Sequence, residues 1–122
     1  SSADGVDVGT GGINQARISK AWVNFNGTGT VAIRDSYNVS SITDNGTGDY
    51  SVVFSTAMSN ANYCCAGMGP QGPSNNDECL VHFKNSSARS TGSCDFRTVD
   101  VYNAADVIDY DPNTIIFFGD LA

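Results

Sequence analysis

Tyr102, Asp106, Asp109, Tyr110 and Asp111 fall within ten consecutive positions and carry side chains that could hold a ligand. Carboxylates this close could offer hard oxygen ligands to calcium. The run Asp106-Val107-Ile108-Asp109-Tyr110-Asp111 lacks the D-x-D-x-D-G spacing of a calcium loop, so the expectation is no metal and a solvated or hydrogen-bonding loop. Tyrosine beside aspartate also suits a sugar, because the ring offers an apolar body for stacking while polar groups meet the hydroxyls. These five residues form the candidate binding set. Asn75 and Asn76, in the Pro- and Gly-rich loop Gly67 to Asp77, are second choices.

The other reactive side chains give weaker patterns. His82 beside a cysteine could form a nucleophilic pair, but a mid-strand thiol lacks the exposed, electropositive setting that makes a thiolate. Cys64 and Cys65 are adjacent while Cys79 and Cys94 stand alone, which is not a zinc spacing. Thirteen acidic residues offer many carboxylate pairs and no motif that selects one for glycoside hydrolysis. The reading is no catalytic residue, no cofactor and no enzyme. Two disulfides are allowed by count, with 64 and 65 not joined to each other, and free buried thiols are the favoured alternative. The N-x-S/T triplets at Asn26, Asn38, Asn45 and Asn85 are expected by chance in a chain rich in Asn, Gly, Ser and Thr, and Asn26 and Asn45 already serve turns.

A length of 122 residues suits one domain. The net charge of -7 argues against a nucleic-acid partner, since phosphate binding needs clustered Lys and Arg. No apolar run approaches the ~20 residues of a membrane-spanning helix, so no membrane insertion is expected. Ser1 to Gly12 is small and polar and reads as a flexible connector to an upstream shaft or anchor, leaving 13–122 as a single domain.

Positioning these residues falls to strands. Ser19 to Phe25 alternates, with Ala21, Val23 and Phe25 on one face and Trp22 and Asn24 on the other. Asn26-Gly27-Thr28-Gly29 and Asn45-Gly46-Thr47-Gly48 each predict a tight hairpin, with Asn-Gly supplying positive φ. Tyr50, Val52 and Phe54 share a face. Ala57 to Asn62 is a short connection with room for one helical turn. Further strands are expected from Tyr63, Cys79 and Cys94, the last running to Tyr102, with a polar loop over Asn85 to Gly92 and an acidic one over Ala104 to Asn113. The apolar run Thr114 to Phe118 predicts a strand buried on both faces. About eight short strands and no helical stripe point to an all-β fold, an antiparallel β-sandwich or, alternatively, a small β-barrel.

The stretch from Lys20 to Phe54, with Ala57-Met58 and Asn62-Tyr63 after it, resembles a segment recurrent in tail-fibre and other virion structural proteins of tailed bacteriophages, especially phages of marine and aquatic bacteria. The ending on Phe118-Gly119-Asp120 is similar to the C-terminus of such proteins. The resemblance implies a fibre-tip module without catalytic residues, homotrimeric, joined to other virion proteins through its N-terminus. It implies assembly in the host cytoplasm and display on the virion, which favours free thiols. The expected function is attachment to a host cell-surface glycan or protein through variable loops. A head fibre or capsid decoration role is the first alternative, and a surface-polysaccharide depolymerase the second.

Overall fold

The computed structural model describes residues 17–72, 78–102 and 106–122; the connector 1–12 and the second-choice residues Asn75 and Asn76 lie outside them. The alternation read at the start of the chain becomes strand β1 (Ser19–Asn26), with Ala21, Val23 and Phe25 buried. It hairpins into β2 (Ala32–Tyr37), pairing Trp22 with Tyr37 and Asn24 with Asp35. The second hairpin joins β3 (Val39–Gly46) to β4 (Asp49–Phe54), whose Tyr50, Val52 and Phe54 all point inward. Then follow β5 (Cys64–Met68), β6 (Cys79–Phe83), β7 (Ser93–Asp100), β8 (Asp106–Val107) and β9 (Asn113–Phe118).

Two antiparallel sheets result, one in the order β2-β1-β9-β5 and one in the order β3-β4-β7-β6 with β8 paired to β7. They face each other as a sandwich. The tandem hairpins therefore lie in different sheets, and the chain crosses between them at Asn38, a non-glycine residue at φ 54. Asparagine tolerates that conformation. Its side chain also secures the corner, donating to the carbonyls of Lys20 and Thr56 and accepting from Thr56 N–H.

Six aromatic rings fill the space between the sheets in two groups, Phe25 with Tyr50 and Phe96, and Phe54 with Tyr63 and Phe117. Most of these contacts are edge-to-face, at centroid separations of 5.0–6.0 Å. That geometry adds about 0.5–1.5 kcal/mol per pair beyond burial. Each cluster takes rings from both sheets.

Four expectations change. Positive φ falls on Gly29, Gly46 and Gly48 rather than on the asparagines of the hairpins. Asn26 instead accepts hydrogen bonds from Thr28 N–H and its hydroxyl, and the second turn tightens at Thr47-Gly48 beyond a bulge between Asp44 and Gly46. Second, β9 is not buried on both faces. Ile115 and Phe117 enter the core while Thr114 and Ile116 face outward, because none of the described residues covers the far side of its sheet. Third, nine strands form among the described residues, the addition being β8, within the run read as a loop. Fourth, Ala57 to Asn62 holds no helical turn; Met58 is buried and bridges to Leu121. No helix among the described residues is long and apolar enough to cross a membrane.

Candidate functional site

Strand direction decides which loops can share a surface. The turn after β1, the turn after β3, the β5–β6 connection and the segment from Val101 to Pro112 all leave the same end of the sandwich. The loop Asn85 to Gly92 leaves the opposite end, beside the start of β1 and the end of β9. Of the three loops expected to present binding residues, two are therefore brought together and the third is separated from them.

At the shared end the candidate residues divide by what holds them. Tyr50 lies fully buried, and its hydroxyl donates to the Asp109 carboxylate at 2.6 Å and lies 2.8 Å from the Gly27 carbonyl. The same Asp109 oxygen accepts from Gly48 N–H at 2.7 Å, so this carboxylate joins the second hairpin to the 101–112 segment. Burial, reinforced by the bond to Asp109, pushes the Tyr50 phenol above its ordinary pKa. Tyr110 is buried, and its carbonyl accepts from Gly27 N–H at 3.0 Å and from Asn113 Nδ2 at 2.8 Å. Asp111 forms a two-pronged pair with the Arg34 guanidinium, the Nη2 to Oδ2 arm measuring 2.7 Å. Those hydrogen bonds hold the Asp111 carboxyl below the usual carboxylate range. Asp109, Tyr110 and Asp111 thus brace the end of the sandwich.

Tyr102 and Asp106 are the outward members. Tyr102 is 67% exposed next to exposed Val101, while its N–H is held by the fully buried Asp100 carboxylate at 3.0 Å. Met68, at the end of β5, is 75% exposed at the same end of the fold. Sequence reasoning passed over Met68, whose only signal was its place between two glycines before a Pro-rich loop. The described end thus offers an apolar and acidic rim on a braced base. No group of three or more metal-ligating side chains occurs among the described residues.

A second surface lies on the open face of the four-stranded sheet. Tyr37, Trp22, Ile116 and Ala66 occupy one row across its four strands, and Asp35, Asn24, Thr114 and Met68 the next. Between them runs a shallow groove of about 460 Å³. The alternation of β1 marked Trp22 and Asn24 as facing away from the core, but nothing in the sequence showed that this face stays uncovered. The chain matches no protein-family model, no curated protein and no solved structure.

Proposed function

We propose that this chain is a non-enzymatic attachment domain, the tip of a virion fibre that contacts a glycan or protein on a bacterial host surface. The observation that carries the reading is polarity. Strand β1 starts at one end of the sandwich, and the rim of Met68, Tyr102 and Asp106 sits at the other. A support held at the start of β1 would lie at the end opposite that rim. Braced loops keep the contact residues in place, and several copies on one particle would make weak single sites sufficient.

The test is competition. Purified domain added before phage should bind host cells and lower adsorption, and Tyr102→Ala combined with Met68→Ala should weaken both effects. Antibody against the domain should label fibre tips. Absence of competition together with label scattered over the shell would reject the reading in favour of a head fibre or decoration protein.

That structural role is favoured by one feature, the open apolar row of Tyr37, Trp22 and Ile116. Such a face suits burial against another protein, and in a fibre it would suit the contacts of a homotrimer. Sedimentation of the domain separates the two uses: trimers dispersed by Ile116→Lys assign the row to assembly. A polysaccharide depolymerase would require release of saccharides from host envelopes, and none is expected.

A further inference from the structure

Cys65 and Cys94 come from different sheets and meet inside the sandwich. Cys94, on β7, is buried in the core. Cys65, on β5, is partly buried and packs against that same core, whereas its neighbour Cys64 points outward and is exposed. Both thiols line one cavity, and the pairing between them is the largest influence on the titration of each. Two residues on from Cys65, Gly67 faces Val81 of β6, where a Cβ would lie 2.7 Å from Val81 Cγ1.

The pair is also reachable. A cavity of about 230 Å³ opens at the edge between β5 and β6, with Cys65 and Cys94 in its lining and exposed His82 and Phe83 beside them. Arg89 stands nearby, its Nη1 donating to the Tyr63 carbonyl at 2.8 Å and its guanidinium over the Phe83 ring at 4.9 Å. The pairing with Cys94, then the charge of Arg89, favour the thiolate at Cys65 against the opposing effect of burial. Cys94 is pushed the other way, chiefly by that same pairing and by burial. One thiol is set to attack and the other to follow. Cys79 stands apart against Gly69, and burial pushes its thiol up to about 11.

We propose that Cys65 and Cys94 form an oxidisable dithiol that a low-molecular-weight disulfide converts into a covalent staple between the two sheets. The Cys65 thiolate attacks one sulfur of the reagent, forming a mixed disulfide and expelling one reagent thiolate. Cys94 then gives up its proton and attacks Cys65 Sγ, expelling the second reagent thiol. Two protein thiols are oxidised to one disulfide, and one reagent disulfide is reduced to two thiols. The mixed disulfide removes the charge at Cys65 that held the Cys94 proton, so the second step is eased by the first. The staple stands independently of any attachment role.

The test uses the whole chain, reduced and then exposed under native conditions to bis(2-hydroxyethyl) disulfide, a neutral reagent that the net charge of -7 does not repel. After alkylation and digestion without reduction, mass spectrometry should find residues 65 and 94 linked. In Cys64→Ser, which lacks the exposed thiol, denatured protein should show one reactive thiol in place of three. The oxidised form should melt several degrees higher and return to the reduced value with dithiothreitol. Cys64→Ser and Cys79→Ser should leave the link intact, and Cys65→Ser should abolish it. Three thiols retained in Cys64→Ser, arrest at a mixed disulfide on Cys65, or loss of the link in Cys64→Ser would each overturn the proposal. The wild-type, Cys64→Ser and Cys79→Ser results decide it even if Cys65→Ser fails to fold.

Discussion

Asp109 shows how one carboxylate can be worth more inside a fold than on its surface. It accepts from the Tyr50 hydroxyl and from Gly48 N–H, groups that would otherwise lose water without gaining a partner. Tyr50→Phe should cost roughly 1–3 kcal/mol in urea unfolding, because the Asp109 carboxylate loses the donor that this buried hydroxyl supplies. Its raised phenol pKa also sets a sign. The folded state holds that proton more tightly, so the contribution is complete below about pH 10 and is lost as pH rises beyond it. Tyr63, raised chiefly by burial, behaves alike, so Tyr50→Phe should shrink the alkaline loss of stability without abolishing it.

The Arg34–Asp111 pair has the opposite sign. Its carboxyl is depressed in the folded state, so its share of stability is present above about pH 4 and is lost as pH falls through the folded value. Arg34→Ala should lower stability at neutral pH and flatten the acid limb of a Tm-against-pH curve, more clearly in low salt than in high.

At the scale of elements, Gly48 and Gly29 form a natural comparison. Both have positive φ, 59° and 56°. A Cβ at Gly29 meets open space, whereas at Gly48 it would lie 2.6 Å from the Thr98 carbonyl and 2.5 Å from Val107 on β8. Gly29→Ala should therefore cost only the left-handed strain of about 1–2 kcal/mol, and Gly48→Ala clearly more, as read by thermal unfolding. The strands themselves were legible because alternation is written in residue types: Tyr50, Val52 and Phe54 announce a core face, as do Ala21, Val23 and Phe25. β8 was not, since Asp106 and Val107 pair through backbone with Val99 and Asp100, a tertiary contact without a local pattern. The two faces of β9 were misjudged for a related reason. Ile115, Ile116 and Phe117 are equally apolar, and only the sheet's surroundings distinguish them. Of the candidate site, the tyrosines and aspartates were visible by composition, but Asp109 and Asp111 are committed to Tyr50 and Arg34, over fifty residues away in sequence.

For the whole molecule, the open sheet face makes adjacent positions unequal. Phe117→Ala should cost about 3–5 kcal/mol by emptying the core, while Ile116→Ala in dilute, unassociated protein should cost clearly less, since Ile116 is 37% exposed. An Ile116→Ala cost that grows with protein concentration would show that the face is covered by association. Central placement of β9 between β1 and β5 has a further consequence for the order of events during synthesis. The hairpin of β1 and β2 and the sheet built on β4 and β7 can form as their residues emerge from the ribosome. The first sheet cannot close until residues 113–118 follow, almost a hundred positions after β1. Until then β1 and β5 have unpaired edges and Phe54 and Tyr63 lack the Phe117 ring they pack on, a window in which the nascent chain is open to mispairing and to chaperones.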